Sequence, residues 1–306
     1  MAGVGPLLCI LSAAGFGAMA IFGKLAYGEG VEVGDLLLVR FSLAAIALLA
    51  IAVARGALRG LSRRAVLTGL ALGAIGYATQ SGLFFSALER MDASLLALIL
   101  YTYPVLVVVG AVAIGRERAS ARRVAALLIA SAGVVLVLAG AASGSFDALG
   151  AAMGFGAALA YTNYILIGDR VVSGVPLLAL VTLVCTGAAV SFWIAGFARG
   201  GPDLAQSAEG YAWIGAIALV STVGAILTFF AGLARVGPSA AAILSIFEPV
   251  VTVALAAAVF AESLAVVQLA GGALVLAAVV VMQAPARARD RRGRVSRAPA
   301  LEYGGH

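Results

Sequence analysis

The sequence predicts an all-α integral membrane protein, with ten transmembrane helices arranged as two inverted five-helix repeats. Three observations support this fold class: an apolar composition, ten segments long enough to cross a bilayer, and a pattern that recurs in the two halves. Of the 306 residues, 63% are hydrophobic and 11% are charged, and the mean hydropathy is +1.11. Ordinary soluble domains are far less apolar, so the composition indicates a membrane protein.

The ten predicted helices follow from segment length, because a bilayer core of roughly 30 Å requires about 20 apolar residues in a helix. Segments that meet this requirement lie near 6–27, 34–54, 65–88, 92–114, 123–140, 148–168, 175–197, 211–234, 239–261 and 264–284. All are continuously apolar, whereas strands of a membrane barrel alternate apolar and polar residues. The first segment lacks the positively charged start of a signal peptide, so we expect it to remain as a helix.

The distribution of arginines predicts the orientation, because short cytoplasmic loops carry the excess of Lys and Arg. Most arginines follow predicted helices of even number, namely Arg55, Arg59, Arg63, Arg64, Arg116, Arg118, Arg122, Arg123, Arg170, Arg235 and six from Arg287 to Arg297. We therefore expect a multi-pass protein of the cytoplasmic (inner) membrane with both termini in the cytoplasm. Spread over loop ends without interleaved aromatic residues, these arginines do not favour nucleic-acid binding.

An internal repeat is visible in the two halves. Leu83–Ser94 (LFFSALERMDAS) resembles Leu227–Ser239 (LTFFAGLARVGPS), with the Phe pairs and the final serines at one constant offset. The same offset aligns Tyr103-Pro104 with Glu248-Pro249 and Glu117 with Glu262. The chain therefore divides into residues 1–142 and 143–284, followed by a basic cytoplasmic tail, 285–306, which we expect to be disordered. Because five helices are an odd number, the second unit enters the membrane from the opposite side, as is typical of secondary transporters.

Pro104 and Pro249 mark candidate hinges near the middle of two predicted helices. Proline kinks or opens a helix, and broken helices in matching positions of inverted halves indicate a midplane binding site. A purely structural kink is an equal alternative for the prolines alone. Glu248 adds weight to a binding site, since a charged carboxylate at the bilayer centre costs at least about 2.5 kcal/mol. It must be neutral, paired with a cation such as Arg40, or in contact with water.

Other polar side chains are candidates for the same substrate cavity. Tyr77 and Gln80 are three residues apart and share one helix face. Tyr101 and Tyr103 flank the first predicted kink, and Tyr161, Asn163 and Tyr164 lie on the sixth predicted helix. Each of these could instead be an interhelical hydrogen-bonding group. Arg40 and Lys24 complete the candidate set, although Lys24 lies near a helix end where snorkelling is an alternative.

Three segments together resemble the drug/metabolite transporter superfamily, and specifically the EamA-type ten-helix permeases. They are Val39–Leu49 (VRFSLAAIALL), Tyr101–Glu117 (YTYPVLVVVGAVAIGRE) and Ile246–Ser263 (IFEPVVTVALAAAVFAES), each in its expected place. By motif match, the recurring family positions are Arg40, Pro104, Glu117, Glu248, Pro249 and Glu262. The resemblance implies two EamA-like repeats around a central cavity and transport of small metabolites, often amino acids. Glu117 and Glu262 are interpreted as end caps or loop anchors, with gating as the alternative.

The expected function is that of a secondary transporter, an exporter of small metabolites such as amino acids, working by alternating access. An uncoupled facilitator and a permease for small organic acids or drugs are the alternatives, and proton coupling through Glu248 is a further hypothesis. A membrane-embedded enzyme or a scaffold is less favoured, because the loops are short and no large soluble domain is present. The sequence predicts no catalytic residue, no metal and no cofactor, and it does not indicate an oligomeric state.

Overall fold

The computed structural model describes residues 4–115, 121–141, 147–171, 175–236, 241, 244–245 and 247–283. These residues form α-helices, two π-helical segments and connecting turns, and no β-strand is found among them. The helices in chain order are α1 (Val4–Gly17), α2 (Met19–Gly28), α3 (Val33–Ala54), α4 (Arg63–Ala71), α5 (Ala78–Arg90), α6 (Ala93–Leu100), α7 (Tyr103–Ala113), α8 (Ala121–Ala141), α9 (Ala148–Val171), α10 (Leu177–Ala198), α11 (Ala208–Ala218), α12 (Ala225–Val236), α13 (Phe247–Phe260) and α14 (Val266–Gln283). The predicted all-α architecture is confirmed.

Six helical stretches within the described residues are long and apolar enough to cross a membrane, which is fewer than the ten predicted. They are Val4–Gly28, Val33–Ala54, Ala93–Ala113, Ala148–Gly168, Leu177–Ala198 and Ala208–Val236. Three further apolar stretches are shorter, namely Leu128–Val137, Phe247–Phe260 and Val266–Ala278. Large apolar side chains such as Ile75, Phe197 and Ile46 lie exposed on the outer surface, as expected for a surface in contact with lipid rather than water.

Both predicted proline positions lie at interruptions of a helix. In the first half, α6 ends at Leu100 and α7 begins at Tyr103, with Pro104 in the first turn of α7. A proline is tolerated there because the first turn needs no backbone donor. In the second half, Ser245 lies in a turn and α13 begins at Phe247, so Pro249 is again in a first turn. Whether these interruptions act as hinges stays a prediction.

Two π-helical segments interrupt longer helices at similar positions in the two halves. Leu72–Tyr77 joins α4 to α5, and Leu219–Gly224 joins α11 to α12. A π-helical turn inserts an extra residue and rotates the following side chains, and such turns occur frequently at functional sites. The sequence analysis did not predict these two segments.

Helices of one half pack closely against helices of the other. The pair α3 and α10 and the pair α8 and α14 are in contact, as are α1 with α12 and α5 with α9. A Cβ atom at Gly133 of α8 would lie 2.6 Å from the backbone oxygen of Gly271 on α14, and the reverse distance is also 2.6 Å. Only glycine allows this approach of the two backbones, as in other membrane helix pairs. The main buried core includes Phe41, Phe85 and Leu88.

Candidate functional site

A cavity of about 350 Å³ lies between the two halves of the chain. Its volume is in the range of small-molecule binding sites. Nine of the residues singled out in the sequence line it, and they come from both halves: Arg40, Tyr77, Gln80, Tyr101, Tyr103, Tyr161, Tyr164, Glu248 and Pro249. These residues are far apart in the chain, and the fold brings them to one place.

Glu248 lies in the first turn of α13 and lines the cavity. Its side chain is only partly buried, and among the described residues it forms no hydrogen bond or ion pair. Its backbone is tightly placed, because the Thr252 hydroxyl donates to the Glu248 carbonyl oxygen at 3.1 Å and to the Gly17 carbonyl oxygen of α1 at 2.9 Å. A Cβ atom at Gly17 would lie 2.7 Å from the Glu248 carbonyl oxygen. The carboxylate is therefore held at the cavity wall and is available to a ligand.

The two helix interruptions contact each other directly. The Tyr101 hydroxyl, at the end of α6, donates a hydrogen bond to the carbonyl oxygen of Ser245, which lies in the turn before α13. The carbonyl oxygen of Ser245 also accepts a bond from the Glu248 backbone nitrogen at 3.0 Å. One backbone oxygen therefore connects the interrupted helices of both halves next to Glu248.

Arg40 on α3 is almost completely buried, with 1% of its surface exposed, and it also lines the cavity. Its Nε atom donates to Oγ1 of Thr222 at 3.2 Å, in the second π-helical segment. The guanidinium lies 4.7 Å from the ring centre of Phe41 and 5.2 Å from that of Phe85. The alternative of a permanent ion pair between Arg40 and Glu248 is wrong, because no such contact is formed. The arginine is instead in contact with Thr222, the two phenylalanine rings and the Tyr77 side chain.

Five tyrosines form a continuous wall along the cavity, here called the tyrosine wall: Tyr101, Tyr103, Tyr161, Tyr164 and Tyr77. Their ring centres follow one another at 5.8, 4.6, 6.0 and 5.7 Å. Tyr77 then contacts the ring of Phe41 at 5.4 Å, beside Arg40. The tyrosine wall thus runs from the Glu248 end of the cavity to the Arg40 end. Gln80 is buried in the same lining, where its Oε1 accepts a bond from the Ser81 hydroxyl at 3.2 Å.

Three of the predicted residues lie outside the cavity lining. Asn163 is exposed and is not part of the cavity lining, whereas the preceding residue, Thr162, is buried. Pro104 lies in the first turn of α7, at the helix interruption, and is not part of the cavity lining. Lys24 is not part of the cavity lining and is paired with acidic side chains. A role of Asn163 or Lys24 in substrate binding therefore stays a prediction, since neither residue is part of this cavity lining.

Lys24 belongs to a second polar cluster, built around Glu262. The Glu262 carboxylate accepts bonds from the backbone nitrogens of Ala93 and Ser94 at 3.1 and 3.0 Å, and from the Ser94 hydroxyl at 2.8 Å. The Lys24 ammonium lies 3.2 Å from Glu262 and 3.9 Å from Asp92. Glu262 therefore caps the N-terminus of α6, a helix of the other half.

The pKa of the Glu262 carboxyl lies below its ordinary value. Burial acts to raise this pKa, but the hydrogen bonds from Ser94 and Ala93 and the charge of Lys24 together outweigh the burial. Ala261, with a positive φ of 56°, ends α13 and turns the chain so that Glu262 can reach α6. Glu117, the residue aligned with Glu262, lies outside the described residues, as does the tail 285–306.

A profile of the EamA-like transporter family matches residues 3–139 and again residues 148–283. The chain belongs to the EamA-like transporter family. The resemblance inferred from the motifs is thus confirmed, and the protein is a multi-pass membrane protein of a transporter family. The two matches also agree with the repeated pattern in the sequence.

One solved structure, described only as a crystal structure of a protein, shares this fold. It superimposes with a TM-score of 0.66 at 18% identity, covering 95% of this chain and 98% of the other. A search of curated proteins finds no match. At this level of identity the likeness concerns the fold alone.

The sequence analysis missed several residues of this EamA-family cavity. Two pairs of phenylalanines line it, Phe84 with Phe85 and Phe229 with Phe230. Their rings are stacked edge to face within each pair, at 5.3 and 5.6 Å. The signal was present in the sequence, because these are the Phe pairs that revealed the internal repeat. Ser245 and Thr252 carried no such signal.

Proposed function

We propose that the protein is a secondary transporter that exports a small metabolite, such as an amino acid, by alternating access. The substrate binds in the cavity between the halves, in contact with Glu248, Gln80 and the tyrosine wall. One observation carries this proposal: the Glu248 carboxylate has no hydrogen-bond or ion-pair partner among the described residues, and it lies on a cavity where the interrupted helices of both halves meet. Interrupted helices at such a position commonly form the binding sites of secondary transporters.

The proposal includes ten membrane spans in two inverted halves, residues 1–142 and 143–284. The exchanged helix contacts support it, since α1 contacts α12 of the second half while α9 contacts α5 of the first. A pseudo-two-fold axis relates such contact pairs when α1 corresponds to α9 and α5 to α12. The two family matches support the same division. We place both termini in the cytoplasm and the protein in the inner membrane, on the arginine distribution.

Alternating access would follow from movement at the two interruptions, with Pro104 and Pro249 next to the hinge points. The shared carbonyl oxygen of Ser245 links the two interruptions. A movement of the backbone at one interruption would therefore alter the hydrogen bonding at the other. Proton antiport through Glu248 is the coupled form of the mechanism. An uncoupled facilitator uses the same cavity, and so does a permease for small organic acids or drugs.

Metabolite profiling tests the proposal. Medium and cells are compared with and without the protein, using Glu248→Gln as the variant and Glu89→Gln, an exposed residue on α5, as the matched control. We expect a small set of compounds that is released by the wild type and by the control at equal expression, and not by Glu248→Gln. If neither the wild type nor the Glu89→Gln control releases any compound, this result would count against export. Equal release by all three would remove Glu248 from the mechanism.

Flux in proteoliposomes separates antiport from facilitated diffusion. With a compound from the profiling experiment, antiport requires that an imposed pH gradient changes the rate and the final accumulation. Glu248→Gln should abolish this dependence. A rate that is independent of the gradient in the wild type would favour the uncoupled facilitator.

A further inference from the structure

Arg40 carries an unsatisfied hydrogen-bond donor at the cavity. Its Nη1 atom is buried and has no hydrogen-bond partner, while Nε is bonded to Thr222. A buried guanidinium whose donors lack partners is unfavourable, because its lost hydration is not replaced. The arginine is one of the residues that line the cavity. The structure therefore holds a cation in place while leaving part of its bonding capacity open.

The surroundings hold the guanidinium rigidly. Rings of Phe41 and Phe85 lie against it at 4.7 and 5.2 Å. Thr222 is itself fixed, since its hydroxyl donates to the Ile217 carbonyl oxygen at 2.9 Å within the second π-helical segment. Because its side chain is already ordered, Arg40 loses little conformational freedom when it binds a ligand.

No acidic side chain of the described residues neutralises Arg40. The ion pairs that the described residues form are Lys24 with Asp92, Lys24 with Glu262, and Arg90 with Asp147. Glu248, the acidic residue of the cavity lining, makes no contact with Arg40. A carboxylate in the cavity would supply the counter-charge that the described side chains do not provide.

We propose that Arg40 binds the carboxylate of the substrate, so that this transporter carries small carboxylate-bearing molecules with an apolar or aromatic body. The proposal rests on the transport function proposed above and names the substrate class of the same cavity. A guanidinium presents its donors in a planar fork that matches a carboxylate. The tyrosine wall and the Phe pairs offer aromatic contact to the rest of the molecule.

Amino acids and simple acids share this chemistry. A zwitterion would place its ammonium group toward the tyrosine wall and Glu248, whereas an acid without an amine would use Arg40 alone. A compound that carries only an amine would meet the same cation with a like charge, which is unfavourable.

Four probes with one phenyl body test the proposal on the purified full chain: L-phenylalanine, 3-phenylpropanoate, 2-phenylethylamine and 3-phenylpropan-1-ol. Binding is measured from the rise of the thermal unfolding midpoint with probe concentration. We expect 3-phenylpropanoate to bind, and the amine and the alcohol to bind at least tenfold more weakly. Tight binding of phenylalanine would identify the zwitterion as the preferred source of the carboxylate, and weak binding would identify the simple acid.

Variants locate the effect at Arg40. Arg40→Gln should raise the Kd of 3-phenylpropanoate at least tenfold, and Arg40→Lys should give an intermediate value because it keeps the charge without the fork. Glu89→Gln, at an exposed position of α5 outside the cavity lining, should keep the Kd within about threefold of the wild type. The comparison among probes on the wild type remains decisive if Arg40→Gln does not fold.

Two results would overturn the carboxylate site: equal binding of acid, amine and alcohol to the wild type, or unchanged acid binding in Arg40→Gln. The profiling experiment separates this failure from failure of transport. If the released compounds carry no acidic group, the carboxylate site is wrong and transport stands. If the acids bind at Arg40 but no compound is released, the carboxylate site stands and transport is wrong.

Discussion

Replacing Glu262 by glutamine is expected to destabilise the protein by about 2 kcal/mol, because one carboxylate connects three parts of the fold. It accepts bonds from the backbone nitrogens of Ala93 and Ser94 and from the Ser94 hydroxyl, and it pairs with Lys24. Only 7% of the Glu262 side chain is exposed, so solvent screens these interactions little.

The magnitude follows from the number and type of bonds. A hydrogen bond to a charged group contributes about 1.5–3 kcal/mol, and loss of an N-terminal cap costs about 0.5–2 kcal/mol. An amide keeps one acceptor oxygen, but its NH₂ group faces donors from α6 or from Lys24. We therefore expect the loss of roughly one charge-assisted bond and weakening of the others, which gives about 2 kcal/mol, or a ~30-fold change in the folded-to-unfolded ratio.

The assay is thermal and denaturant unfolding of the purified full chain in detergent. Glu89→Gln serves as the matched control, since Glu89 is exposed on α5 and its side chain forms no hydrogen bond or ion pair among the described residues. Its free energy of unfolding should stay within about 0.5 kcal/mol of the wild type. A Glu262→Gln protein that also stays within this margin would refute the reasoning. The same variant tests gating, because a released gate would raise transport or leak while an anchor would only lower stability.

Three further predictions concern pH and packing. Because the folded-state pKa of Glu262 is lowered, the carboxylate contributes its full stabilisation above the unfolded pKa of about 4.3, and this stabilisation is lost at lower pH. The difference in stability between wild type and Glu262→Gln should therefore shrink below about pH 4. A difference that stays constant with pH would contradict this. Tyr101→Phe removes the bond to the Ser245 carbonyl oxygen and should lower the free energy of unfolding by about 1 kcal/mol, whereas no change would mean that water replaces the hydroxyl. Gly133→Ala places a Cβ atom 2.6 Å from the backbone of α14 and should lower the free energy of unfolding by about 1–3 kcal/mol. Gly82→Ala adds a Cβ atom with nothing within 4 Å and should be neutral or slightly stabilising. Equal effects of the two changes would show that α8 and α14 can separate freely.

Residues of the cavity could be predicted from the sequence where the residue type is energetically unfavourable in a membrane. Glu248 and Arg40 were found because charges in apolar segments require an explanation, and both line the cavity. Phe84 and Phe85 were used only as markers of the repeat, since phenylalanine is ordinary in a membrane helix. Their place in the cavity depends on the rotation of α5.

Lys24 and Asn163 show the opposite case, because the sequence made them candidates for the substrate site and neither is part of the cavity lining. Both are polar groups within or near apolar segments, as Glu248 is. A shift of one residue along a helix, however, changes the face on which a side chain lies: Thr162 is buried and Asn163 is exposed. The partners of Lys24 come from the end of α13 and the start of α6, and the spacing of residues along the chain does not predict that these two segments are in contact.

The sequence by itself determined the membrane location, the helical class, the repeat and the family, because these depend on composition, period and motif order along the chain. Tertiary structure alone decided that Arg40 is bound to Thr222 rather than paired with Glu248, that the two interruptions meet at Ser245, and that Glu262 caps a helix of the other half. Each of these contacts joins residues more than 140 positions apart. Such contacts depend on how whole helices rotate and pack, and the π-helical segments that set part of that rotation leave no periodic signal in the sequence.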